Sequence, residues 1–454
     1  MKKKNFILLS RRDSKMSQID PQAYTSPSLP VQGYETADSV GSSYAKRAQP
    51  SECSLVSVVS QSGDQSSGGQ IMINLANTPN TFVKNGSVYL RLKLAMTSAV
   101  AAAANSSVIS ASPTGSWASL INRITVSCGS NVIEQINNYG LVHHESILLH
   151  ASSGNYFQQD MKLLECGLNN DQGVVAAAQG VNQFSWANAV VVGTTRFAYL
   201  TIPLFLGSLN NPQENKNFPL GLLTGGVQVL IDLNTFGNSA AVVAGSTAGI
   251  AVEYTVSQAS LSYEAIKVSS EYMNALRGSL AQQGQLFQMP FVSSLCMNVA
   301  SSAVLDVVYG LGLSSMKAVL FTQKATAAGA KQSKYNLATV LRVYADGKLQ
   351  NNYNIGDRTT FYAELNRALG NLASRSSTSG PSDMTTNYLS DYFYGGVAFN
   401  KFTDSSLAMT GTACQQLQFH LESTPGNGDS TYILIFYDAI LSASPMSGEC
   451  SVLR

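Results

Sequence analysis

Charged side chains are scarce in this sequence. Only 12% of its 454 residues are Asp, Glu, Lys or Arg, about half the share of an ordinary soluble domain. The 28 basic and 27 acidic residues nearly cancel, and the formal net charge is +1. This balance argues against non-specific nucleic-acid binding by the folded body, which requires a basic face. Low charge favours a surface that neighbouring subunits cover; the alternative is an exported β-protein with a neutral, polar surface.

Metal-ligating residues are also few. The HExxH pattern of a zinc-binding helix is absent, because Leu148 stands where its second histidine would be. His143 and His150 share one face of a predicted helix, which favours surface or interface polarity, with a structural ion as the alternative. The cysteines show no CxxC spacing, so we predict reduced, mostly buried thiols. The full sets are His143, His144, His150 and His420, and Cys53, Cys128, Cys166, Cys296, Cys414 and Cys450.

Catalytic and nucleotide-binding motifs are missing. The chain has neither a GxSxG nucleophile elbow nor a GxxxxGK[ST] phosphate loop. Asp438 is interpreted as a hydrogen-bond acceptor at a sheet rim, and Asp357 with Arg358 as an exposed turn. We therefore predict that the chain is not an enzyme and has no catalytic, cofactor-binding or metal-binding residues. One aromatic cluster is interpreted as core and subunit interface, with stacking on sugars or bases as the alternative: Tyr388, Tyr392, Phe393 and Tyr394.

No apolar run is long enough to cross a bilayer. The first 18 residues, MKKKNFILLSRRDSKMSQ, superficially resemble a signal peptide. Their apolar part covers only residues 6–9, and Arg11 and Arg12 follow at once. Residues 1–50 lack periodicity, so we predict an extended arm that reaches a neighbouring subunit; a terminal tail without a role is the alternative.

Short β-patterns fill the rest of the chain. Residues 70–75 (QIMINL) and 227–233 (VQVLIDL) alternate apolar and polar side chains, as half-buried strands do. Pairs of such patterns are separated by turn residues, among them Asp346-Gly347. Further strands are predicted at residues 88–96, 121–126, 132–136, 197–202, 252–266, 285–290, 295–299, 316–322, 337–344, 392–402, 417–421 and 431–437.

Three stretches interrupt the β-patterns with helical spacing: residues 138–150, 269–280 and 359–369. Ser269 or Ser270 is the predicted N-cap of the second helix. This helix separates two blocks of about eight strands each, which is the strand number of a jelly roll. We predict an all-β fold of two consecutive eight-stranded antiparallel jelly rolls with short inserted helices. The predicted units are the arm 1–50, the first jelly roll 51–268, the linker helix 269–284 and the second jelly roll 285–454.

Residues 195–236 carry a resemblance to a known family. An apolar strand ending in IPL, a loop, FPLGLL and then VQVLIDL resemble the first jelly roll of double-jelly-roll major capsid proteins. These come from tailless icosahedral DNA viruses: the adenovirus hexon lineage, virophages and Polinton-like viruses. FYAELNRALG at 361–370 and YILIFYDAIL at 432–441 resemble the second jelly roll, and residues 261–278 are similar to the segment between the rolls. The resemblance covers about residues 51–441.

The resemblance implies a structural capsid protein that trimerises into pseudo-hexameric capsomers and assembles an icosahedral virion shell inside the host cell. The implied partners are copies of itself in a homotrimer, neighbouring capsomers, and penton and minor or cement proteins. The arm would contact the shell interior, and no cofactor or specific nucleic-acid site is implied. Loops 97–116, 154–188 and 373–386 would form towers or contacts between subunits. The alternatives are a carbohydrate-binding or adhesive β-sandwich and another virion component such as a fibre.

Overall fold

The structure is a computed structural model. It describes residues 51–98, 109–110, 117–143, 183–184, 190–192, 195–210, 216–235, 252–324, 333–334, 337–351, 356–370, 394–399, 409–426 and 428–454. The predicted arm, residues 1–50, and most of the predicted loops, residues 97–116, 154–188 and 373–386, lie outside this set. Within it, no helix combines the length and the apolar character that a membrane span requires.

The first jelly roll is built from these strands: β1 (Ser51–Val59), β2 (Gln65–Ser66), β3 (Gln70–Leu75), β4 (Thr81–Val83), β5 (Tyr89–Ser98), β6 (Ile109–Ser110), β7 (Ile121–Cys128), β8 (Asn131–Asn137), β9 (Gln183–Phe184), β10 (Val190–Val192), β11 (Thr195–Pro203), β12 (Val227–Leu233) and β13 (Val252–Val268). One antiparallel sheet has the order β1-β13-β5-β11-β10, and the other has the order β3-β12-β7-β8. The eight-stranded sandwich consists of β1, β13, β5 and β11 from the first sheet and the four strands of the second, and β2, β4 and β10 extend the first sheet.

The second jelly roll is built from these strands: β14 (Phe287–Ala300), β15 (Val304–Lys324), β16 (Ser333–Lys334), β17 (Val340–Ala345), β18 (Lys348–Leu349), β19 (Gly395–Ala398), β20 (Thr412–Glu422), β21 (Ser430–Ala443) and β22 (Cys450–Leu453). The first half of β15 pairs with β20, in the order β15-β20-β17-β18. Its second half pairs with β21 and β19. One sheet thus contains β14, β21, β19 and the second half of β15, and the other contains β20, β17, β18 and the first half of β15. These are eight principal strands, so the predicted all-β fold of two jelly rolls is confirmed.

Alternating apolar side chains fill each sandwich. In β12, Val227, Val229 and Ile231 are buried, whereas the residues between them are half-buried. The strand pleat sends neighbouring side chains to opposite faces, so one face of β12 enters the core. Fully burying one such aliphatic side chain stabilises the fold by about 1.5–3 kcal/mol. The period-2 patterns predicted at 70–75 and 227–233 are confirmed as β3 and β12, residue for residue.

Two strands are longer than the sequence predicts. Strand β14 runs without interruption through Pro290, where two short strands were predicted. Proline is tolerated there because β14 is an edge strand, which pairs only with β21 among the described strands. Strand β15 begins at Val304, although only residues 316–322 were predicted. Its register shifts between Gly310 and Leu313, and this irregularity accompanies the passage of the chain from one sheet to the other.

The closing strands also differ from the prediction. The last predicted strand covers residues 431–437, but β21 extends to Ala443. A further strand, β22, then returns antiparallel to it. The predicted strand at 392–402 is described only over 394–399, where β19 lies; its other residues are outside the described set.

Helix α1 (Ser270–Gln282) connects the two rolls, and its predicted N-cap is confirmed. The Ser269 side chain accepts a hydrogen bond of 3.2 Å from the backbone N–H of Tyr272. Helix α2 (Arg358–Gly370) begins after Asp357, whose carboxylate accepts bonds from the N–H of Thr360 at 2.8 Å and its hydroxyl at 2.6 Å. These bonds lower the pKa of Asp357. The interpretation of Asp357 as part of a plain exposed turn is therefore corrected: this residue is a helix cap.

The Asp346-Gly347 hairpin is confirmed between β17 and β18. Asp346 has φ of 49° and Gly347 has φ of 75°, and positive φ at both central positions is the signature of a type I′ turn. The predicted helix at 138–150 is described only through residue 143, where 139–143 are helical.

Candidate functional site

The two jelly rolls meet edge to edge. Strand β8, at the edge of its sheet, lies against β14 and β22 of the second roll. An uncovered strand edge is prone to pair with other chains, so this contact protects two edges at once. We call this contact the joint. It determines how one roll stands beside the other.

Glu134 of β8 lies at the centre of the joint and is only 1% exposed. Its Oε1 accepts hydrogen bonds from the backbone N–H of Gly207 at 3.0 Å and from the hydroxyl of Ser293 at 2.8 Å. Its Oε2 accepts bonds from the N–H of Ser208 at 2.9 Å and its hydroxyl at 2.7 Å. Because Ser293 belongs to β14, a single carboxyl group links the loop after β11 to the second roll.

Burial raises the pKa of Glu134, because a charge is poorly solvated inside the joint. The bonds from Ser208, Ser293 and Gly207 lower it and oppose this shift. The side chain is enclosed and saturated with donors, so it acts as a structural link and has no room for a substrate. Sequence reasoning missed Glu134, although a signal was present: in β8 it shares a strand face with the buried Ile136.

Gly207 allows the backbones of the two rolls to approach closely. A Cβ atom added at this position would overlap the carbonyl group of Val292 in β14. The absence of a side chain therefore lets the N–H of Gly207 reach Glu134 while β14 passes directly over it.

Further polar contacts surround Glu134 at the joint. The Thr224 hydroxyl donates to the carbonyl of Ser447 at 2.8 Å, and Lys216 Nζ donates to the carbonyl of Pro290 at 3.3 Å. These bonds connect the rolls at two further points besides Glu134.

A pocket of about 540 Å³ opens beside the joint. The β7–β8 turn and residues of the β21–β22 turn line it, including Cys128 and Cys450. Asn131 Nδ2 donates a 2.7 Å bond across it to the carbonyl of Cys450. The described cysteines are mostly buried, as predicted, with Cys53 as the exposed exception; Cys166 lies outside the described residues.

The described histidines and Asp438, which the sequence offered as possible site residues, do not contact Glu134 at the centre of the joint. His143 is fully buried, its Nε2 donates to the carbonyl of Pro203 at 2.8 Å, and its ring stacks on Phe205. The interpretation as surface polarity is therefore wrong for His143, whereas His144, Glu145 and His150 lie outside the described residues. The described part of the chain contains no cluster of metal-ligating side chains.

The remaining histidine, His420, lies on the second roll, with its ring nitrogens 3.7 Å from Asp306 and 3.3 Å from Glu422. Asp438 lies inside β21 and not at a rim: it is buried, accepts from the Ser315 hydroxyl at 2.7 Å and lies 3.2 Å from Lys317 Nζ. Tyr394 is buried, in line with the core interpretation. The rest of its cluster is outside the described residues: Tyr388, Tyr392 and Phe393.

No family model and no curated protein matches the sequence. Solved structures do match the fold. VP54 of PBCV-1, fitted into a cryo-EM reconstruction of the virophage Sputnik, superposes with a TM-score of 0.54 at 10% identity, over 89% of this chain and 98% of that one. The chain has the double-jelly-roll fold of viral major capsid proteins. The resemblance seen in the sequence is thereby confirmed at the level of the fold.

Two more double jelly rolls agree. A chain of the cryo-EM structure of the Sputnik virophage matches with a TM-score of 0.55 and 11% identity, over 88% of each chain. The Faustovirus major capsid protein matches with a TM-score of 0.50 and 8% identity, over 89% of this chain and 90% of that one. These are structural capsid proteins and not enzymes. Sequence identities this low support the assignment of the fold but do not assign a role to any individual residue.

Proposed function

We propose that this chain is a major capsid protein that forms homotrimers, which pack as pseudo-hexameric capsomers into an icosahedral virion shell. The observation that carries the proposal is the joint, which holds two jelly rolls side by side by their edges. A rigid pair of sandwiches, repeated three times around an axis, gives a ring of six. We also propose that the units are the arm 1–50, the first roll 51–268, the linker helix 269–284 and the second roll 285–454.

The joint suggests which edges meet between copies. Within the chain, β8 of the first roll contacts β14 of the second. By strand order, β18 is the counterpart of β8, and β1 is the counterpart of β14. These two remain at the ends of their sheets in the described part of the chain. We propose that β18 of one copy docks against β1 of the next, a head-to-tail contact that closes after three copies.

The side chains on these two edges support this contact. Val59 of β1 is 69% exposed, and Leu349 of β18 is 37% exposed. A large apolar side chain exposed on a strand edge is a hazard for a monomer and an advantage for an assembly. The scarcity of charge fits the same proposal, because like charges would otherwise repel across repeated contacts.

The test is the oligomeric state of the purified full chain, measured by sedimentation and negative-stain microscopy. We expect trimers and shells from the wild type, and monomers from Val59→Lys and Leu349→Lys, because each lysine places a charge in an apolar contact. Met446→Lys is the control, since Met446 is 79% exposed but lies on the β21–β22 turn, away from both edges. Edge variants that still form trimers would refute the edge assignment, and a wild type without trimers or shells would refute the capsid role.

The other proposed partners are penton and minor or cement proteins, with the arm at the shell interior, in a virion assembled inside the host cell. The origin in a tailless icosahedral DNA virus of the virophage or Polinton-like kind belongs to the same proposal. Mass spectrometry of purified particles would identify the co-assembling proteins. Binding of the unassembled chain to a glycan column, without particles, would instead support the carbohydrate-binding alternative.

A further inference from the structure

Two thiols from different rolls meet beside the joint. Cys128 ends β7 in the first roll, and Cys450 begins β22 in the second, 322 residues further along the chain. The Cys450 thiol donates a long hydrogen bond to the backbone carbonyl oxygen of Cys128, with 4.0 Å between the Sγ and that oxygen. The bond from Asn131 to the Cys450 carbonyl holds the two strands at this spacing.

Both thiols line the 540 Å³ pocket, so a small molecule has a route to them although each residue is buried on average. Glutathione-sized reagents need a cavity of a few hundred Å³. A buried thiol without such an opening would be chemically inert.

The two sulfurs differ in acidity. The neighbouring Cys450 side chain lowers the pKa of Cys128 to about 7, against the opposing effect of burial. The same neighbour, Cys128, together with burial, raises the pKa of Cys450. By contrast, burial raises the pKa of Cys414 to about 11. A thiolate attacks disulfides best when its pKa is near the ambient pH, so Cys128 is suited to attack and Cys450 to resolve.

We propose that Cys128 and Cys450 are a redox-active thiol pair, which a small-molecule disulfide converts into an intrachain disulfide across the joint. The Cys128 thiolate attacks one sulfur of the reagent, forms a mixed disulfide and releases one thiolate. Cys450 then loses its proton, attacks the Cys128 sulfur and releases the second thiolate. The two protein thiols are oxidised, the reagent is reduced to two thiols, and the protons of Cys128 and Cys450 end on the released thiols.

The test treats the purified full chain with oxidised glutathione at neutral pH and maps its peptides under non-reducing conditions. We expect a peptide that links Cys128 to Cys450, and a thermal unfolding midpoint several degrees higher, because the bridge restricts a very long loop in the unfolded chain. Cys414→Ser is the matched control and retains the crosslink. Peptide mapping is required because Cys53 is exposed and therefore accessible to glutathione as well.

The variant Cys450→Ser separates the two steps. We expect it to retain one glutathione on Cys128 as a stable mixed disulfide, because the resolving thiol is gone. Wild-type protein in which both thiols remain free after oxidation, or in which glutathione stays on Cys128 without a crosslink, would overturn the proposal. An unmodified Cys128 in Cys450→Ser would overturn its assignment as the attacking thiol.

Discussion

At the scale of single residues, the carboxyl group of Glu134 has the greatest influence on how the rolls are joined. Leaving a buried carboxylate without partners would cost several kcal/mol, and its four hydrogen bonds offset this cost. Each of these donors therefore contributes more to the stability of the fold than the donor of an exposed hydrogen bond would. Ser293 is the most informative donor, because it is the only one of them contributed by the second roll.

We expect Ser293→Ala to lower the free energy of unfolding by about 1–3 kcal/mol, the usual cost of leaving a buried polar group one partner short. Urea unfolding of the full chain measures it. The matched control is Ser294→Ala, the adjacent and equally buried serine of β14, which is not a donor to Glu134. Equal losses from the two variants would show that the bond to Glu134 contributes nothing specific.

Single residues were also the scale at which sequence reasoning failed most often. The histidine spacing predicted polarity at His143, yet this ring is buried against Phe205. Asp438 was predicted at a rim and lies inside a strand. Glu134 was not singled out at all. Much of each environment is built by residues far along the chain, as the bonds from His143 to Pro203 and from Ser315 to Asp438 show, and a local pattern does not specify such partners.

At the scale of elements, local sequence patterns predicted many of the strands correctly. Strands β3 and β12 were predicted residue for residue, because one face of each is buried and period 2 is then visible in the sequence. Strands β14 and β15 were predicted in part. A proline is permitted in β14 because that strand lies at an edge, and β15 bends where its partners change; both facts depend on neighbouring strands.

The cap of the linker helix gives the test at this scale. We expect Ser269→Ala to lower the free energy of unfolding by about 1 kcal/mol, because it removes the side-chain acceptor of the Tyr272 N–H. Ser270→Ala, one residue further along, is the control and should change stability by a few tenths of a kcal/mol at most. Denaturant unfolding of both variants measures the difference, and an equal effect would mean that the cap is not the stabilising contact.

At the scale of the whole molecule, the pH dependence of stability reports on the joint. The folded-state pKa of Glu134 is raised above its usual 4.5, so the folded chain binds this proton more tightly than the unfolded chain does. The stabilisation is fully present below about pH 4.5 and is lost as the pH rises through the raised pKa. We expect the unfolding free energy of the wild type to fall relative to Glu134→Gln as the pH rises from about 4.5 through the raised pKa of Glu134.

Glu264→Gln provides a control of opposite sign. Lys84 lowers the pKa of Glu264, so its contribution is present above about pH 4.5 and is lost as the pH falls. Over the range in which Glu134 titrates, Glu264→Gln should therefore track the wild type. A constant difference between the wild type and Glu134→Gln across that range would contradict the raised pKa.

The sequence by itself determined the all-β class, the two blocks of strands, the linker helix with its cap and the hairpin at Asp346-Gly347. These features arise from side-chain alternation, capping and turn chemistry, which act between residues close in the chain. Only the tertiary structure decided which edges meet, that Glu134 lies among four donors, and that Cys128 approaches Cys450. Such contacts join residues up to 322 positions apart, and they exist only once both sandwiches have formed and docked.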